Sequence, residues 1–215
     1  MKHPPKPGKP AKLTETELCR RDGELLHIVD NWFGRAKERG GAHIACRSGC
    51  SQCCVGVFAI DRLDAVRLQQ GLNELADRDL ERAQRILQRA SESLERTVDF
   101  FPGDVETGIL DASADAEEIF EDFANDEPCP VLDPVTKTCD LYQHRPMTCR
   151  LFGPPLRTEG GIGVCELCFT AASPEEITAA EVPLDGDELE SKLNADLERT
   201  VGGGKTIVAF ALLGA

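Results

Sequence analysis

No apolar run in the 215-residue sequence approaches the roughly 18 residues that a membrane-spanning helix needs. The longest candidate, TIVAFALLGA at 206–215, is about half that, so no membrane span is expected. Basic residues are scarce as well: 24 Lys and Arg stand against 38 Asp and Glu, a net charge of −14. That balance argues against general nucleic-acid binding, whose affinity comes largely from neutralising phosphates, and an anionic membrane surface would repel the chain. No export signal is expected either. The N-terminal MKHPPKPGKPAK is basic and proline-rich, but no apolar stretch of the length such a signal needs follows it. Residues 1–12 are expected to form a disordered arm and the protein to be cytoplasmic. No internal repeat is visible, and 41% apolar content is enough for one good core, so residues 13–215 are expected to form a single domain.

Cysteine is what the chain has in excess. Ten occur, and nine of them cluster: Cys46, Cys50, Cys53 and Cys54 in CRSGCSQCC, then Cys129, Cys139 and Cys149, then Cys165 and Cys168 in CELC. In a reducing compartment such clusters are more often metal ligands or redox centres than structural disulfides. Neighbours such as Cys53 and Cys54 could hardly bridge one another without strain. Closely spaced thiolates let one loop wrap an ion with backbone N–H groups pointing at the sulfurs, and a second segment completes the coordination. Nine thiols exceed the four a single site needs, which implies two sites, or one site with reactive thiols besides. Zinc and iron, the latter as an iron–sulfur cluster or otherwise, both suit the donor set. His43 and His144 lie near cysteines and read as surface or hydrogen-bonding residues. Cys19, alone beside Leu18, reads as a small buried hydrophobe.

The cysteines fall on loops between helices. Thr14 and Glu17 have capping-box spacing ahead of Leu18, Leu25, Val29, Trp32, Phe33 and Ala36, which predicts a helix over 14–39. VGVFAI at 55–60 reads as a buried strand or the lead into a helix capped by Asp61 and ended near Gly71. Apolar residues three and four apart from Leu80 to Phe101 predict one long amphipathic helix over 73–101, closed by Pro102. The acidic stretch 103–118 reads as a solvated face, leading into a short helix with Ile119, Phe120 and Phe123. The turn DPVTK between short apolar runs predicts a hairpin within 128–152. Ser173, Pro174 and Glu176 predict another helix start, and a polar helix is expected near 187–200. The fold class expected is mostly α (α+β), helices around a cysteine-rich metal site with a short β-hairpin.

CRSGCSQCC followed by CPVLDPVTKTCDLYQHRPMTCRLFG resembles the cysteine-cluster proteins of the YkgJ type, a family described as chelating zinc or iron. The match falls on Cys46, Cys50, Cys53, Cys54, Cys129, Pro130, Cys139, Tyr142, Arg145, Pro146, Cys149 and Arg150, and covers roughly residues 43–153. The resemblance implies metal or iron–sulfur binding and supplies no settled reaction. The ligand set expected is Cys46, Cys50, Cys53, Cys54, Cys129, Cys139 and Cys149, with Cys165 and Cys168 added from CELC. Arg145 and Arg150 are expected to lie beside the sulfurs, where a guanidinium offsets accumulated negative charge without competing for metal. A metal ion is the expected partner; no protein partner is indicated.

Enzyme readings are weaker. Cys46, Cys50 and Cys53 have the spacing of the radical-SAM cluster motif, but Gln52 stands where that family usually has an aromatic. GGGKT at 202–206 lacks the first glycine of a phosphate loop, since position 199 is Arg199. Flagellin lysine methylase is related to the cysteine-cluster family, yet no glycine-rich SAM loop follows a strand here. An iron–sulfur oxidoreductase or a methylase-like enzyme is the alternative to a metal-binding module.

Overall fold

Thr14 starts the first helix as its spacing predicts: the hydroxyl accepts the Glu17 N–H at 3.3 Å. The fold is described here from a computed structural model covering residues 13–158, 161–182 and 187–214; the expected arm at 1–12 lies outside them. Helix α1 spans Glu15–Gly40 and buries Leu18, Leu25, Val29 and Ala36. Only half of the capping box forms, because the Glu17 carboxylate is engaged by Arg20. Cys19 is exposed, contrary to the expectation of burial. It follows Leu18 in sequence, but one residue is about 100° of helical rotation, enough to leave the apolar stripe.

The remaining elements are β1 (Ala59–Ile60), α2 (Arg62–Arg78), α3 (Leu80–Thr97), β2 (Gly103–Asp104), β3 (Ile109–Leu110), α4 (Ala114–Asp122), α5 (Met147–Leu151), β4 (Leu156–Thr158), β5 (Gly161–Gly163), α6 (Pro174–Ala179), α7 (Asp187–Val201), β6 (Thr206–Ile207) and α8 (Val208–Leu213). Among the described residues the strands form three antiparallel pairs: β1 with β6, β2 with β3, and β4 with β5. The fold is mostly α with small β pairs, as expected. The hairpin expected around DPVTK is reduced to a single bridge, Leu132 to Cys139, closed by Asp133 N–H to Thr138 O at 2.9 Å. Asp133 Oδ1 takes the N–H groups of Val135 and Thr136, each at 2.8 Å, and so tightens the turn.

The periodicity predicts a helix ending near Gly71 and another running from 73 to 101; the break lies instead at Asp79. Its carboxylate accepts the Arg82 N–H at 3.0 Å and caps α3. Gly71 sits inside α2, where an added Cβ would come within 2.6 Å of His144. Its glycine serves close approach to the 142–144 turn rather than helix termination.

Helices α2, α3 and α8 pack on one another and on Phe101 and Phe123 to make the main core. Val208, Ala209, Phe210, Ala211 and Leu212 are all buried, so α8 is apolar on every side and serves as the centre of that core. A second cluster joins α1 through Leu25 and Val29 to Leu63, Met147, Leu193 and Leu197. No helix among the described residues is long and apolar enough to cross a membrane.

Between α1, α2 and α7 lies a buried polar network. Arg67, 2% exposed, reaches Asp22 Oδ1 at 2.5 Å, Asp64 Oδ1 at 2.6 Å and Glu190 Oε1 at 3.4 Å. Burial pulls the Arg67 pKa down, but its carboxylates outweigh that and hold it above the ordinary value. Glu190 is pushed up to about 7 from 4.5, by burial first; Arg67 opposes the shift and Asp64 adds to it. Between those pH values the folded chain holds a proton that the unfolded chain has released. The stabilisation is therefore full below pH 4.5 and is lost as pH rises through about 7. Glu190→Gln, which keeps an acceptor for Arg67 without the charge, is expected to flatten this fall and to raise stability at pH 8 by about 1–3 kcal/mol in urea unfolding. A variant whose pH profile follows the parent's would reject the assignment.

Candidate metal centre

After α1 the chain enters a stretch, 44–58, with little regular structure, and backbone bonds to two remote segments fix its course. Its first half is laced to the CELC segment: Phe169 N–H donates to His43 O at 2.8 Å and Ala45 N–H to Cys168 Sγ at 3.4 Å. A single turn, Gln52–Cys54, then redirects the chain. Its second half is laced to residues 124–129. Cys129 N–H donates to Cys54 O at 2.8 Å, Gly56 N–H to Glu127 O at 2.9 Å, and Val55 bridges Pro128. The cysteine blocks that sequence separates thus lie together in the fold.

The nine thiols fall into two neighbourhoods. In the first, Cys168 and Cys50 both raise the pKa of Cys46 and of Cys165. In the second, Cys53 and Cys54 shift one another, Cys54 feels Cys129 and Cys149, and Cys149 feels Cys53, Cys129 and Cys139. Cys46 Sγ of the first group is pressed against Gly153, which sits at φ +125°, and a Cβ there would come within 2.7 Å of the sulfur. The spacing that resembles a radical-SAM motif is split: Cys46 and Cys50 go to one group and Cys53 to the other. Among the described residues no three Cys, His, Asp or Glu side chains hold an ion's position as they stand.

Ala45 N–H donates to Cys168 Sγ at 3.4 Å. Backbone N–H groups also act on three other thiols, pulling the pKa down against burial: those of Val131 and Leu132 at Cys129, that of Leu141 at Cys139 and that of Leu167 at Cys165. Such donors favour the anionic form of sulfur. Burial works the other way. It pushes Cys46 and Cys129 up to about 12, and it raises Cys139, Cys149 and Cys165 above the ordinary thiol value; neighbouring cysteines add to the shift. Within the adjacent pair, Cys54 lowers Cys53 to about 6, while Cys53 and burial raise Cys54. The donors suit thiolates, and a bound cation would supply the charge that keeps them ionised.

Residues 45–168 match the model of the CxxCxxCC family, described as a "Putative zinc- or iron-chelating domain". The chain belongs to this family. No curated protein and no solved structure matches the chain.

The two arginines that the family resemblance singles out lie differently. Arg145 stacks on the Tyr142 ring, 4.0 Å from its centroid, donates to Tyr142 O at 2.7 Å, and lowers the pKa of Cys139 by its charge. Arg150 is 2% exposed and turns to Asp30 on α1, at 3.0 Å, and to Gln143 O. Its pKa falls below the ordinary value through burial first, with Arg145 and Arg67 adding to the fall and Asp30 opposing it. Its visible role is to tie α5, which carries Cys149, to α1. Neither histidine near the cysteines faces the sulfurs with its Nε2: that of His43 is 3.5 Å from Glu176 and that of His144 is 3.1 Å from Glu74.

Three arginines of α3 escape the sequence reading although they recur every seventh residue. Arg82 and Arg89 both grip Asp140, whose side chain is 1% exposed, and Arg89 also donates to Pro130 O at 2.7 Å. Arg96 pairs with Glu127 at 2.6 Å. They fasten the 127–140 segment, and with it Cys129 and Cys139, to the helical core; the Arg89 charge also lowers Cys129. A cleft of about 440 Å³ opens beside the thiols, lined by Cys53, Cys149 and Cys165 and walled chiefly by Val55, Val57, Phe58, Phe152 and Val164.

Proposed function

We propose that the chain chelates zinc or iron through its clustered cysteines, with thiolate sulfur as the protein's donor, and that residues 13–215 act as one metal-binding domain. The observation that carries this reading is the lacing of the cysteine segments to one another, by Ala45 N–H on Cys168 Sγ at 3.4 Å and Cys129 N–H on Cys54 O at 2.8 Å, with backbone N–H groups that pull Cys129, Cys139 and Cys165 toward the anion against burial. Amide donors stabilise sulfur as an anion, and buried anionic sulfurs at this density call for a cation. Soft thiolates select zinc or iron over magnesium or calcium, and the carboxylate partners of His43 and His144 support an all-sulfur donor set.

The test is metal analysis with a visible absorption spectrum on the full chain, purified anaerobically without added metal. Stoichiometric zinc in a colourless protein is the expected result for a chelating or structural module. Iron with acid-labile sulfide and broad visible absorption would assign an iron–sulfur centre and direct attention to its reduction potential. A folded chain that carries neither metal, and takes up neither under reducing conditions, would reject the proposal.

A further inference from the structure

We infer that the nine thiols form two separate metal sites, one of Cys46, Cys50, Cys165 and Cys168 and the other of Cys53, Cys54, Cys129, Cys139 and Cys149, each taking zinc or iron. This rests on the chelation reading and divides the ligands within it. The argument is one of backbone lacing. CRSGCSQCC reads as a single cluster, but its halves are tied to different parts of the chain. Ala45 N–H on Cys168 Sγ and Phe169 N–H on His43 O hold the first half against CELC. Cys129 N–H on Cys54 O, and the Val55 to Pro128 bridge, hold the second half against the 124–129 segment. The single turn Gln52–Cys54 is where one lacing gives way to the other: Gln52 Nε2 at its start still donates to Glu166 Oε1 of CELC at 2.9 Å, and Cys54 O at its end accepts from Cys129 N–H.

Packing draws the same boundary. Cys165, Cys168 and Cys46 belong to a small cluster with Phe169, Ala180 and Ile44. Cys129 and Cys139 pack instead on the main core of α2, α3 and α8. The first group offers four sulfurs from a C-x3-C and a C-x2-C pair, which is the number a tetrahedral ion takes. The second offers five from three segments; Cys53 and Cys149 line one side of the cleft that Cys165 of the first group also lines.

Two paired substitutions separate the groups. Cys165→Ser with Cys168→Ser should remove the metal of the first site and leave that of the second. Cys129→Ser with Cys139→Ser should do the reverse, each variant keeping roughly half of the parent's metal. Gly153→Ala, which drives a methyl into Cys46 Sγ, should weaken only the first site. A folded variant of either pair that loses all metal would show one shared site and overturn the division while leaving chelation intact. A parent chain without metal would overturn the chelation reading itself. Cadmium-113 NMR on the reconstituted parent gives the same decision without substitution. Resonances from two distinct thiolate environments are expected, and a single environment at saturation would overturn the division.

Discussion

Asp64→Ala is expected to cost the folded chain about 3–5 kcal/mol, because it removes one side of a buried ion pair and leaves the other charge in place. Asp64 is 4% exposed, and one of its oxygens serves two donors: the Arg67 guanidinium at 2.6 Å and the Met147 N–H at 2.9 Å. Burial raises its pKa first, while Arg67 and the Met147 amide pull it back. Without the carboxylate, Arg67 keeps Asp22 and Glu190 but has lost its most buried partner. The first amide of α5 is stranded at the same time. That helix carries Cys149, so the defect should pass from the helical network to the thiols. A loss of this size is a large share of the roughly 5–15 kcal/mol that holds an ordinary domain together. Asp64→Asn, which keeps an acceptor for Met147, should cost less. Urea unfolding at pH 7.5 measures both, and a loss under about 1 kcal/mol for the alanine variant would show that Asp22 and Glu190 suffice for Arg67.

The elements were legible where a local rule and the global packing agree. Ser173 and Glu176 form both halves of their capping box, and the stripe from Leu18 to Ala36 is the buried face of α1. The break at Asp79 was not legible, since the apolar spacing continues across it; the choice between staying helical and capping the next helix is made by packing. Gly71 misled for a similar reason. Its use is the approach of His144, a contact set by residues far along the chain. At the metal centre the ligand types and their segments could be read directly. The division into two neighbourhoods depends on bonds between residues some 75 to 123 positions apart, such as Cys54 to Cys129 and Ala45 to Cys168, and no local pattern encodes them. The arginines at 82, 89 and 96 show an intermediate case. Their seven-residue spacing marks one helix face, but only Asp140 and Glu127, brought in by the fold, distinguish that face from a solvated one.

Stripping the metal with a chelator in the presence of reductant is expected to melt the segments that carry the cysteines while α2, α3 and α8 persist. The reason lies in what holds each part. The main core is apolar and closed by helices, and Leu68, Ile86 and Ala90 within it have no exposed surface. Residues 44–58 contain no strand, only the turn closed by Cys50 N–H on Arg47 O and the single turn Gln52–Cys54, so their order depends on the few bonds to 124–129 and 165–169. Thiolate–metal bonds would add far stronger ties, since structural zinc contributes about 10–16 kcal/mol in small modules. Removing the ion also returns the buried sulfurs to their protonated form, in which they repel one another less but no longer cross-link. Acid should help the chelator. A thiol raised to about 12, as at Cys46 and Cys129, must release its proton to bind, so every fall in pH favours the proton over the metal and stripping should be easier at pH 6 than at pH 8. Hydrogen exchange read by mass spectrometry is the measurement: protection should vanish in 44–58, 128–140 and 164–172 and survive across α2 and α3. Uniform loss would mean that the helical core itself depends on the metal, and unchanged protection in the cysteine segments would mean that their hydrogen bonds alone hold them.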